Sequence, residues 1–211
     1  MNTLLQINAS MFADGGQSSQ LADRFVAAWR ANHPGAKIIV RDVGREPVPH
    51  LTAERFGALL AKADERTAEQ QSVASYADAM IDELKRADVI VLGLPMYNFG
   101  VPSTLKAYFD HVARAGVTFR YTETGPVGLL TGKTVHVFAA RGGMYAGTAL
   151  DTQTAYVRDF LRFIGIDDVH FVYAEGLNMG AARKEAALQD AHTAIARLAT
   201  TSVAEAFAVA A

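Results

Sequence analysis

The stretch Asp88-Val89-Ile90-Val91-Leu92-Gly93-Leu94 is apolar at consecutive positions and breaks off into Pro95-Met96-Tyr97-Asn98-Phe99-Gly100-Val101-Pro102. A strand with one face in water alternates apolar and polar residues. A run without alternation is buried on both faces, which is the habit of strands inside parallel sheets. The prolines and Gly100 break the uncharged stretch too early for a spanning helix, which needs about 20 mostly apolar residues. Such a strand requires parallel neighbours at its sides and helices over both faces.

The rest of the chain supplies them. Thr3–Ile7, Thr134–Ala139 and Val169–Ala174 are further apolar runs, and Lys37–Arg41 carries charge at both ends, as an edge strand does. From Ser18 onward Leu21, Phe25 and Trp29 recur four apart on one helical face, until Asn32-His33-Pro34-Gly35 stops the helix. Tyr76, Met80 and Leu84 mark a helix ending near Ala87, with Asp82 and Arg86 as a solvent-side pair. Another runs from Ser103 to Ala113, and a further one buries Val157, Phe160, Leu161 and Ile164. A long alanine-rich helix with Leu188, Ala191, Ile195 and Leu198 closes the chain, and its tail after Thr200 is expected to fray. Gly44–Ser75 reads as one or two short helices outside the core pattern, and Gly116–Lys133 as a long connection. Five strands alternating with helices predict an α/β fold, a doubly wound five-stranded parallel sheet with helices on both faces. The 211 residues, half of them hydrophobic, are expected to form one domain over residues 1–211.

Composition removes several functions. The net charge is −2, from 20 basic and 22 acidic residues, which gives no footprint for nucleic acid or an anionic membrane. With no cysteine there is no disulfide, thiol nucleophile or thiolate metal site. The six histidines show no metal-ligand spacing, so no metal is expected and each reads as a surface or packing residue. The N-terminus lacks the basic and apolar regions of a signal peptide, and the expected compartment is the cytoplasm.

Ligands of open α/β sheets bind outside the carboxyl ends of the strands, and three loops of unusual composition fall there. In the first, Asn8–Ser18, Gly15-Gly16 allow close backbone approach, while Ser10, Gln17 and Ser18 offer hydroxyls and an amide at a helix start that favours anions. The plain alternative is that Ser18 only caps the helix. No Lys or Arg lies between Asn2 and Asp23, so a phosphate held there would be bound largely without salt bridges. The second loop sets Met96, Tyr97 and Phe99 between two prolines, a wall suited to a flat conjugated ligand or else aromatics packed beneath the next helix. The third, Ala139–Gly147, carries three glycines whose N–H groups could meet a ring's polar edge, or form a turn with no ligand contact.

Better-known motifs fail. The dinucleotide pattern G-x-G-x-x-G is absent after the first strand. Gly128–Thr134 has one spacer too few for a phosphate-binding P-loop and precedes a strand instead of following one. Gly16–Gln20 starts like a nucleophile elbow but ends in Gln20 instead of glycine.

Together, Pro95-Met96-Tyr97-Asn98-Phe99, Ala113-Arg114-Ala115-Gly116-Val117-Thr118-Phe119-Arg120-Tyr121, Arg141-Gly142-Gly143 and Phe163-Ile164-Gly165-Ile166 resemble the bacterial FMN-dependent NAD(P)H azoreductases, relatives of the NAD(P)H:quinone reductases. The resemblance covers nearly the whole chain. It implies a flavodoxin-like fold and a homodimer with one FMN per subunit near the interface. By it, Ser10, Gly16, Gln17 and Ser18 hold the phosphate side and Met96, Tyr97, Asn98 and Phe99 pack along the isoalloxazine. Ala140, Arg141, Gly142 and Gly143 come to the pyrimidine edge. Ala140 stands where many relatives carry serine, so a side-chain hydrogen bond is lost there.

The resemblance further implies ping-pong chemistry, in which NAD(P)H gives hydride to flavin N5 and an azo compound or quinone then takes the two electrons. Phe99, Phe119 and Tyr121 are expected to line the substrate site, and no side chain is assigned as catalytic acid or base. The competing expectations are an FMN electron carrier docking on protein redox partners, which the weak net charge disfavours, and an FMN-binding regulatory module.

Overall fold

The computed structural model describes residues 2–200, so the tail after Thr200 lies outside the described residues. The five expected strands form one parallel sheet: β1 (Thr3–Asn8), β2 (Lys37–Asp42), β3 (Val89–Pro95), β6 (Thr134–Ala140) and β7 (Asp168–Ala174), in the order β2-β1-β3-β6-β7. Along the chain between β3 and β6 comes a small, separate antiparallel hairpin, β4 (Phe119–Thr122) and β5 (Gly125–Gly128). The helices are α1 (Gln17–Asn32), α2 (Ala53–Leu60), α3 (Ala68–Arg86), α4 (Ser103–Val112), α5 (Thr152–Phe163) and α6 (Ala181–Thr200).

Consecutive apolar residues serve the two faces in turn. Val89 and Val91 of β3 join Leu21, Phe25 and Trp29 of α1 and Ala191 and Ile195 of α6. Ile90, Leu92 and Leu94 turn the other way, toward Met80, Leu105, Tyr108, Val157 and Leu161 on α3, α4 and α5. Every residue of β3 and β6 is buried, whereas β2 is half-exposed at the edge, as its flanking charges predict.

Three local expectations change. The helix marked by Tyr76, Met80 and Leu84 is longer than its apolar pattern suggests. α3 begins at Ala68, where the Thr67 hydroxyl accepts the Gln70 N–H and the Gln70 side chain accepts the Thr67 N–H. That reciprocal cap starts a turn whose outer residues are polar, so no apolar period marks it. Arg86 does not pair with the Asp82 carboxylate: its Nε donates to the Asp82 carbonyl oxygen at 3.1 Å, capping the last turn. The Gly116–Lys133 connection contains the β4–β5 hairpin, docked at the far end of α5 with Leu130 N–H donating to Ile164 O (2.9 Å). No described helix is long and apolar enough to cross a membrane.

His136, on β6, is buried against Phe25 and stacks on His170 at 5.4 Å. Burial, and then the neighbouring His170, pushes its imidazole down to about 4. It therefore stays neutral in the fold where an unfolded histidine, at about 6.5, takes a proton. Its contribution to stability is complete above that ordinary value and is lost as pH falls from about 6.5 toward 4. Urea unfolding at pH 7 and pH 4.5 should differ by about 2 kcal/mol from this site. His136→Gln should remove that share of the difference.

Candidate functional site

Strand order reverses between β1 and β3, so the crevice for a ligand opens at their carboxyl ends. The three loops meet there. In the first, Gly16 is the N-cap of α1 and no side chain caps the helix. Ser18 therefore sits inside the first turn, buried, with its Oγ unpartnered, and the simple capping role does not hold. The Gln17 and Ser18 N–H groups make no hydrogen bond among the described residues, as the first donors of a helix must unless something outside accepts them. Ser10 Oγ accepts the Phe12 N–H at 3.2 Å and lies 3.3 Å from the Tyr97 hydroxyl, joining this loop to the second. A Cβ on Gly16 would fall 2.2 Å from Ser10 Oγ, so glycine is required for the loop to close on Ser10.

The second loop is a two-residue hairpin. Tyr97 and Gly100 exchange backbone bonds of 3.2 and 3.0 Å, and Asn98 and Phe99 at the tip both have positive φ, 49° and 65°. Such tips favour Asn-Gly, and a bulky residue in the left-handed region is a genuine outlier, the kind of strain that gathers at functional sites. Here it holds the Phe99 ring out at 48% exposure, edge-on to Tyr145 at 5.5 Å. The hairpin is tied down from α5. Thr152 Oγ1 donates to Phe99 O (2.6 Å), and buried Gln153 Nε2 donates to Pro95 O (2.9 Å) and Gly100 O (3.0 Å).

The third loop is pinned. Gly142 O and Gly143 O accept from Asn178 N and Gly176 N at 3.0 and 2.8 Å, and a Cβ on Gly142 would meet the Asn178 side chain at 2.6 Å. The Gly142 and Gly143 N–H groups form no bond among the described residues and are only half-buried, leaving two adjacent donors open. Arg141 departs from expectation. Its guanidinium is fully buried, donating to Glu175 (3.0 Å), Asp151 (3.0 Å) and Thr154 (2.9 Å) and lying over the Tyr173 ring. Its N–H is bonded to Ala174 O and its carbonyl to Leu177 N. Arg141 thus spends its terminal guanidinium nitrogens and its backbone groups on the protein, because two carboxylates hold it, while its buried Nε has no partner among the described residues and the Gly142 and Gly143 N–H groups stay open. Ala140 likewise gives its carbonyl to the Met96 N–H at 3.1 Å.

Two clefts result. One, of ≈ 260 Å³, is lined by Ser10, Gly16, Gln17 and Ser18 on one side and by Met96, Tyr97, Ala140, Arg141 and Gly142 on the other. The second, of ≈ 490 Å³, is walled by Asn98, Phe99, Gly143 and Tyr145. Met96, Gly142 and Asn178 line both, so the clefts adjoin. Phe119 and Tyr121 are not brought in. Phe119 is buried against Phe163, the last residue of α5, and Tyr121 is 74% exposed. The start of that helix touches Phe99, so the hairpin sits about 18 Å away at 1.5 Å per residue. Sequence reading missed Thr152, Gln153, Tyr145, Asn178 and Lys184. Asp151-Thr152 before an apolar helix is a capping signal that could have flagged the first two; the others carry no local signature.

The fold and site together define the class: the chain belongs to the family described by its flavodoxin-like fold, whose model matches residues 2–199. Among its relatives is the FMN-dependent NADH:quinone oxidoreductase of Cellvibrio japonicus, 61% identical over 180 residues, 85% of this chain and 90% of the relative. The FMN-dependent NADH:quinone oxidoreductase 6 of Burkholderia lata is 55% identical over 196 residues, 93% and 99% of the two chains. Among solved structures, an FMN-dependent NADH-azoreductase from Bacillus anthracis in complex with FMN is 29% identical, covers 95% of this chain and 98% of its own, and superposes with a TM-score of 0.86.

The strain at Phe99 is directly measurable. At ordinary negative φ, alanine is the better replacement and glycine the worse. Here Phe99→Gly should be more stable than Phe99→Ala by about 1 kcal/mol, read from urea midpoints of the two variants. The opposite order would mean that the tip is not held in the left-handed region.

Proposed function

We propose that the chain is an FMN-dependent oxidoreductase that carries two electrons from NADH to quinones, and to azo compounds, with one FMN per subunit. The observation that carries the reading is that an anion-ready cradle adjoins an aromatic-walled cleft, with Met96, Gly142 and Asn178 lining both. The names of the relatives support it. The residues fit the cofactor: an orphaned buried Ser18 Oγ and the open Gln17 and Ser18 N–H groups suit a phosphate. Met96 and Phe99 suit a planar ring system, and the Gly142 and Gly143 N–H groups suit its carbonyl edge.

When bound, FMN supplies the two-electron relay, and the protein supplies position and surroundings. The chain's own residues then have plain tasks. Phe99 and Tyr145 wall the second cleft and keep water from one side. Tyr97, bonded to Ser10 and to the Met11 N–H (3.3 Å), fixes the distance between the two ends of the site. One aromatic cleft serves donor and acceptor, so they enter in turn and the order is ping-pong. Protons come from water, and no side chain is assigned as acid or base.

We further propose a homodimer. Phe119 and Tyr121 lie remote from their own chain's clefts, and a second copy is the route by which an exposed Tyr121 reaches a flat substrate. Purified protein should be yellow, elute as a dimer, and oxidise NADH with a quinone acceptor along parallel double-reciprocal lines. Colourless protein that ignores both FMN and NADH would refute the assignment. Tyr121→Ala should lower kcat/KM for quinone about fivefold at unchanged FMN content, an effect of one lost aromatic contact of about 1 kcal/mol.

A further inference from the structure

The first loop contains no cation, yet the cleft it lines does. α1 and α6 pack side by side on one face of the sheet, and both begin at its carboxyl edge. Their positive ends therefore lie together, and neither first turn contains an acidic residue. The opening turn of α6 instead carries Arg183 and Lys184, where a helix dipole disfavours positive charge. Arg183 is directed to the third loop, donating to the Met144 sulfur beside Gly176. Lys184 lines the cradle with Ser10, Gly16, Gln17 and Ser18 and forms no ion pair among the described residues. Lys184, exposed and without an ion pair among the described residues, thus lines the same small space as the N-terminal turn of α1 and the buried Ser18 whose hydroxyl has no partner. That arrangement is unfavourable when the space holds only water and favourable when it holds a phosphate.

We infer that Lys184 is the charge partner of the phosphate of the bound flavin mononucleotide. The inference rests on the proposed function and replaces a phosphate cup without salt bridges by one whose cation comes from more than 160 residues away, a separation that hides it from any local motif. Lys184 acts on affinity: it distinguishes flavin carrying a phosphate from flavin without one. The aromatic cleft treats both alike.

The test is fluorescence-quenching titration of flavin-stripped full-length protein with FMN and, separately, with riboflavin. Lys184→Met keeps the aliphatic stem and removes the charge. It should weaken FMN binding about tenfold or more, the scale of one charge-assisted contact, and leave riboflavin binding unchanged. It should also flatten the loss of FMN affinity with rising salt, since screening acts on the missing pair. Lys184→Arg should restore most of the affinity. Equal FMN binding by wild type and Lys184→Met would overturn the inference, as would a matching loss for riboflavin, which would show general damage to the cleft. Wild-type protein that binds neither flavin would overturn the functional reading itself, and this inference with it.

Discussion

The candidate site hangs on one buried guanidinium. Arg141 leaves the end of β6 with 1% of its surface exposed, a placement that costs several kcal/mol unless the charge is paired and hydrogen-bonded. Asp151 and Glu175 do the pairing, and each carries a second duty. Asp151 caps α5 through the Thr154 N–H. Glu175 takes the N–H groups of Tyr145 and Ala146. Burial alone would push the Asp151 carboxyl up, but bonds from Arg141 and Thr154 outweigh it and hold it below the ordinary carboxylate value. One cation therefore fixes the end of β6, the start of α5 and the loop after β7 relative to one another. Removing it would leave two carboxylates facing each other with little water.

The second loop depends on that cluster at one remove. The helix start that Asp151 caps also presents Thr152 and Gln153, the two residues that grip the Asn98–Phe99 hairpin. A tip with two left-handed residues costs on the order of 1–3 kcal/mol per strained position. Three hydrogen bonds from a helix start anchored by the Asp151–Arg141 pair tie the hairpin down. The strain is thus located at the residue whose exposed ring walls the aromatic cleft, and the rigidity that sustains it is buried beneath. This division suits a site that must offer a flat surface without rearranging.

Much of the fold was legible because burial on both faces leaves unbroken apolar runs, and because the three loops follow from strand ends. What escaped has physical reasons. The β4–β5 hairpin has four-residue strands, too short to show a period of two. The outer turn of α3 is polar because it faces water, and only its Thr67–Gln70 cap announces it. Arg141 stood in a recognisable loop, but its role depends on partners 10 and 34 residues away, which composition cannot reveal. Phe119 and Tyr121 lie away from the clefts of their own chain, because sequence does not say which end of α5 a segment touches.

The same separation of local from distant signal explains the electrostatics of the clefts. The acids nearest the third loop, Asp151 and Glu175, are turned onto Arg141, so their charge is neutralised within the protein and does not oppose an anion in the cradle. Asp14, in the first loop, is drawn outward to Arg45. With the carboxylates occupied, the helix starts of α1 and α6 and the Lys184 ammonium set the sign at the narrow end. The wide end is left to Met96, Phe99 and Tyr145, without formal charge. A chain of nearly balanced overall charge thereby builds a cleft that is positive at one end and neutral and flat at the other. A ligand with an anionic tail and a planar head can lie along it in only one direction.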